Sequence, residues 1–255
     1  MTLASHIHPP GLQQPVPAPD PIPLPPPRAN LGALAFGLAF PALLTAVYFV
    51  GLGGAPRPVQ QAVYLVGKAL QFGLPTIWFL RHRPRPAPPS LRGALPGVAF
   101  GLVVFVAALA LYSLVLEPSH VLDGGPAEVI RAKVAGFGIT GPWRYLALGT
   151  FYSLLHSAAE ELYWRGFVFG ELRRVCRPPL ALLGSSLAFA AHHVILLVVF
   201  FGWASPWTWA LSAAVAAGGA FWAWLYRRSG SLAGPWLGHL LVDAAIFAIG
   251  WDLVR

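Results

Sequence analysis

The sequence predicts an all-α protein, a polytopic transmembrane helix bundle of about 7–8 spans. Three observations predict it. Of the 255 residues, 56% are hydrophobic and only 10% are charged, whereas a soluble domain carries about 25% charged residues. The mean hydropathy is +0.64. Apolar runs recur at the length of about 20 residues that a helix needs to cross a bilayer. Too few polar groups remain to cover a water-facing globule, which excludes a soluble two-domain enzyme and a disordered chain. Cys176 is the only cysteine, so no intramolecular disulfide framework or cysteine-built metal site is expected.

The first segment, 1–30, holds ten prolines between Pro9 and Pro27. Proline lacks the backbone N–H that a helix interior needs, so this is expected to be a disordered cytoplasmic tail. It lacks the basic start and apolar core of a signal peptide. The spans are expected at 32–53, 60–80, 94–116, 144–170, 180–201, 207–226 and 231–253. The fourth is too long for one simple span, and a tilt or a break near its middle is expected. Residues 31–139 form the N-terminal membrane helices and 140–255 the helical core that carries the chemistry. Trp203, Trp207 and Trp209 flank a short uncharged loop and read as an interfacial aromatic belt.

The net charge is +8. In a membrane protein this is a topology signal and requires no nucleic acid, because Arg and Lys collect in cytoplasmic loops. Arg28, Arg81, Arg83, Arg85, Arg92, Arg173, Arg174, Arg177, Arg227 and Arg228 fall on one side. The other holds Arg57, Arg131, Lys133, Arg144 and Arg255. The N-terminus is therefore expected in the cytoplasm, and the protein in the plasma (inner) membrane.

Three of the nine acids, Glu160, Glu161 and Asp243, fall inside apolar stretches, where charge is costly and marks function. Glu161 and Arg165 are four apart and share a helix face, so Arg165 neutralises and orients Glu161. Glu160 points about 100° away and lacks that partner, which suits it to general acid or base work. His193 follows in the fifth span, and His239 with Asp243, again four apart, in the last. Counted from the helix ends, Glu160, His193 and His239 lie roughly 16, roughly 20 and roughly 14 Å deep, close enough to meet at one level. His156 and His192 read as ties between helices.

Glu160-Glu161-x-x-x-Arg165, Phe189-x-x-x-His193 and His239-x-x-x-Asp243 occur in that order on apolar segments. They resemble the three motifs of the CPBP family of CAAX proteases and bacteriocin-processing enzymes, over roughly 140–250. The resemblance implies an intramembrane endopeptidase that cleaves a membrane-associated protein or peptide within the bilayer. It implies Glu160 as catalytic acid, braced by Glu161 and Arg165, with His193 activating water beside it. His239 and its partner would stabilise the oxyanion, and Phe189 supports the site.

One position departs from the eukaryotic pattern: Asp243 stands where Asn is found. Ionised Asp cannot donate a hydrogen bond to an oxyanion, so Asp243 is protonated, orients His239 or binds a cation. Two routes stay open. Glu160, His193, His239 and Asp243 offer donors for zinc, or Glu160 and His193 activate water without a metal. The second route is the working expectation. A non-proteolytic immunity or scaffold factor of the same family is an alternative, and a proton-coupled transporter ranks last for want of repeats or interrupted helices.

Overall fold

The computed structural model describes residues 29–82 and 87–255. The expected Pro-rich tail lies outside the described residues up to residue 28, as do Arg28, Arg83 and Arg85 of the basic set. Among the described residues there are eight helices and no strand. α1 runs Leu31–Ala46 with a π-helical end, Val47–Gly51. α2 is Arg57–His82, and α3 is Leu91–Leu111 with a π-helical end, Tyr112–Leu116. α4 is the short Gly125–Gly136. α5 spans 142–175, followed by α6 (Pro178–Phe201), α7 (Pro206–Ser229) and α8 (Ala233–Val254).

Local chemistry sets the helix ends. Asn30 Oδ1 accepts the Ala33 N–H at 3.0 Å and Ser90 Oγ that of Gly93 at 3.2 Å, each satisfying a donor that the first helical turn leaves unpaired. Proline opens α5, α6 and α7, where its missing N–H costs nothing. Gly230 ends α7 in the left-handed region, φ 68°, which favours a residue without Cβ.

Five helices, α1, α3, α6, α7 and α8, are long and apolar enough to cross a membrane. The chain is thus an all-α integral membrane protein. α2 and α5 occupy the other two predicted ranges and carry polar residues on faces turned inward. α2 directs Tyr64, Lys68 and Gln71 into the bundle and exposes Leu65, Val66 and Leu74. Exposed leucines and valines of this kind are what a lipid solvent requires.

The expected break in the fourth segment does not occur. α5 is continuous: Tyr152–His156 and Leu162–Phe169 are π-helical, and Ser157–Glu161 between them is α-helical. The connecting residues keep right-handed helical angles, as at Leu162 with φ −61° and ψ −42°. Extra length is absorbed by widening the coil rather than by breaking it. α5 is also central, packing against α1, α2, α6, α7 and α8. Tyr163 to Gly170 are all buried, so this stretch of helix is covered all round. Pro41 in α1 cannot donate to the Gly37 carbonyl, and Tyr163 Oη donates to that carbonyl instead at 2.9 Å.

The closest helix pair is α3 with α8. A Cβ added at Gly97 would stand 1.9 Å from the Gly234 carbonyl oxygen, and one at Gly101 would stand 2.8 Å from that of Gly238. Small residues at four-residue spacing let the two backbones touch, the usual basis of helix association in lipid. This contact fixes α8 one residue from His239. Gly97→Ala is expected to lower stability by about 1–3 kcal/mol through overpacking against an unyielding backbone. Gly73→Ala, in open space on α2, is expected to raise stability by about 0.5–1 kcal/mol. Thermal unfolding of both variants in detergent checks the contrast.

Candidate active site

Three helices bring the polar residues together. α5 supplies Glu160, Glu161 and Arg165, α6 supplies Phe189, His192 and His193, and α8 supplies His239 and Asp243. Arg165 Nη1 donates to Glu161 Oε1 at 2.8 Å, and Nη2 donates to the Gly219 carbonyl of α7 at 3.1 Å. Both side chains are buried. The guanidinium lies 4.9 Å from the Phe189 ring and 5.1 Å from that of Trp222, so aromatic faces replace its lost hydration. The bracing pair expected from the four-residue spacing is present, and Phe189 touches it.

Glu161 does a second task that the spacing did not reveal. Its Oε1 also accepts from His239 Nδ1 at 2.7 Å. This fixes the imidazole with its proton on Nδ1 and turns Nε2 toward the other two acids. Glu160 Oε2 lies 3.8 Å from that nitrogen and Asp243 Oδ1 3.7 Å. Trp222 stacks on the His239 ring at 4.5 Å and 16°, holding its plane.

Glu160 is 4% exposed. The imidazoles standing against it are those of His239 and His192, the latter with Nε2 at 3.9 Å. His192 was expected to tie helices outside the site. Consecutive helical residues differ by about 100° in direction, yet the His192 and His193 rings reach one cleft with centroids 4.1 Å apart. Trp164 stacks parallel to His192 at 5.7 Å and keeps it there. His193 Nδ1 donates to the Phe189 carbonyl at 3.0 Å, which leaves Nε2 as its basic nitrogen.

Trp222 and Trp164 gave no sequence signal beyond their apolar surroundings. Lys68 did: it is a lone cation inside α2, and its Nζ lies 3.5 Å from His156 Nε2. Among the described residues no group of three or more His, Cys, Asp or Glu side chains is disposed to hold a metal ion. As placed, Glu160, His193, His239 and Asp243 therefore do not fit a zinc site, since His239 has given Nδ1 to Glu161 and the four donors do not converge.

The class is thus defined: a polytopic helical membrane protein whose centre is a buried cluster of carboxylates and imidazoles. Residues 142–245 match the family model described as Type II CAAX prenyl endopeptidase Rce1-like. The match runs from the start of α5 into α8 and includes all three motifs. It bears out the resemblance to CAAX proteases over that part of the chain and supports an intramembrane protease. Comparison with curated proteins and with solved structures gave no match.

Removing one partner of a buried pair strands the other charge. Arg165→Met is expected to lower stability by about 3–5 kcal/mol, and adding Glu161→Gln to recover part of the loss. Thermal unfolding of the single and double variants measures both effects. A single variant as stable as wild type contradicts the pairing.

Proposed function

We propose that the protein is an intramembrane endopeptidase that hydrolyses a peptide bond of a membrane-associated protein or peptide, with water activated by Glu160 and His193. One observation carries this reading: Glu160 is buried among imidazoles while Arg165, the nearby cation, is engaged by Glu161. A carboxylate so placed is free to take and return a proton.

In the proposed reaction, Glu160 accepts a proton from water as the oxygen attacks the carbonyl carbon. His193, with its proton held by the Phe189 carbonyl, accepts the water's second hydrogen bond at Nε2. The carbonyl π-bond opens to a tetrahedral oxyanion. Glu160 then passes the proton to the amide nitrogen, and the C–N bond breaks. His239 faces the oxyanion with Nε2. Its neutral ring has already committed its one N–H to Glu161, so it donates there only as an imidazolium, balanced by Asp243 and Glu160 opposite. Every step uses groups that the chain itself supplies.

The ten-to-five distribution of basic residues supports an N-terminus in the cytoplasm and a plasma (inner) membrane. Glu160→Ala and His193→Ala are each expected to abolish cleavage while the protein still inserts and folds. Mass spectrometry of membrane peptides from cells with wild type and Glu160→Ala reports the activity and the cleaved bond together. Identical peptide profiles would refute the assignment.

A further inference from the structure

Oxyanion stabilisation is the incomplete part of this site. Ionised Asp243 has no hydrogen to donate, and neutral His239 has spent its N–H on Glu161. A donor is needed from elsewhere, and α2 and α5 place one nearby.

His156 stands four residues before Glu160 on α5, a spacing at which side chains share a face. It lies within electrostatic range of Glu160, His193 and His239. Its ring is held edge-on by Phe72 at 5.5 Å and tilted against Tyr152 at 4.8 Å. Lys68 Nζ reaches His156 Nε2 at 3.5 Å, the long end of hydrogen-bond distance. The ammonium is itself kept over the Phe72 ring at 5.2 Å, and Tyr64 beside it pairs with Tyr152 through their hydroxyls at 2.7 Å. An ammonium can only donate. His156 Nε2 must then accept, and the ring carries its proton on Nδ1. Among the described residues, no side chain or carbonyl pairs with that Nδ1–H.

We propose that Lys68 and His156 form a dyad in which the ammonium fixes the imidazole tautomer and His156 Nδ1–H donates to the oxyanion of the tetrahedral intermediate. The role rests on the peptidase reading above. His156 is then a catalytic residue, and Lys68, acting through it, a positioning residue. Lys68 lies on α2, outside the segment 142–245 that matches the family model, so this chain's N-terminal half would complete the site.

The full chain, reconstituted with ¹⁵N-labelled histidine, tests the dyad by nuclear magnetic resonance, with His156 assigned by loss of its signals in His156→Gln. The wild type is expected to show the proton on Nδ1, Lys68→Met to lose that tautomer, and Lys68→Arg to keep it. Kinetics use the peptide found by comparing wild type with Glu160→Ala. There, His156→Leu should lower kcat by about 100-fold with KM little changed, as when one oxyanion donor is lost. His156→Gln, whose amide can donate, should retain more activity, and Lys68→Met should fall by about 10-fold. A proton on Nε2 in the wild type, or His156→Leu turning over at the wild-type kcat, overturns the proposal. If wild type and Glu160→Ala give the same peptides, the peptidase reading fails and the oxyanion role falls with it. The tautomer spectra would still decide whether the dyad exists.

Discussion

Glu161 occupies a place from which most of the site can be derived. A carboxylate with no exposed surface must be neutralised, and Arg165 one turn along α5 does so. The guanidinium in turn needs partners, which fixes the Gly219 carbonyl of α7, Phe189 of α6 and Trp222 of α7 around it. The remaining acceptor capacity of Oε1 goes to His239 of α8. One buried charge therefore ties four helices together and sets the orientation of an imidazole. Glu160, the neighbouring residue, is left to the cleft because its sibling has absorbed the cation.

Such a centre depends on helices that do not shift relative to one another. Lipid supplies no hydrophobic force between them, so contact area and backbone proximity must. α3 and α8 meet through glycines closely enough that no side chain intervenes. α5 gains rigidity in another way, through an aromatic group of Tyr163, Trp164 and Phe167 packed with Phe189 and Trp222. Large rings lock the middle of the bundle, while glycines lock its edge. Both constraints converge on the turn of α8 that carries His239.

The all-α membrane fold was legible because composition and run length are properties of the whole chain. The Glu161–Arg165 pair was legible because both residues lie on one helix at a spacing that geometry fixes. The expected break in 144–170 was wrong for a physical reason: π-helical widening leaves no proline or glycine signature of the kind that marks a true break. His192 was missed because helical direction was judged without its partner. Its ring is held toward Glu160 by Trp164, a contact between helices that no single segment contains. Lys68 and His156 lie on helices separated by more than 80 residues, and their meeting depends on packing alone.

The π-helical stretches of α5 have a consequence for how this chain tolerates change in length. Each stretch is wound with more residues per turn than the α-helix around it. Deleting one residue from 152–156 would let the coil tighten to α-helical winding and turn everything before it by about 100° against Glu160. Tyr152 would then leave Tyr64, and the face opposite α2 would be lost, although no functional side chain had been altered. In this segment, chain length itself carries information that in most helices resides only in residue identity.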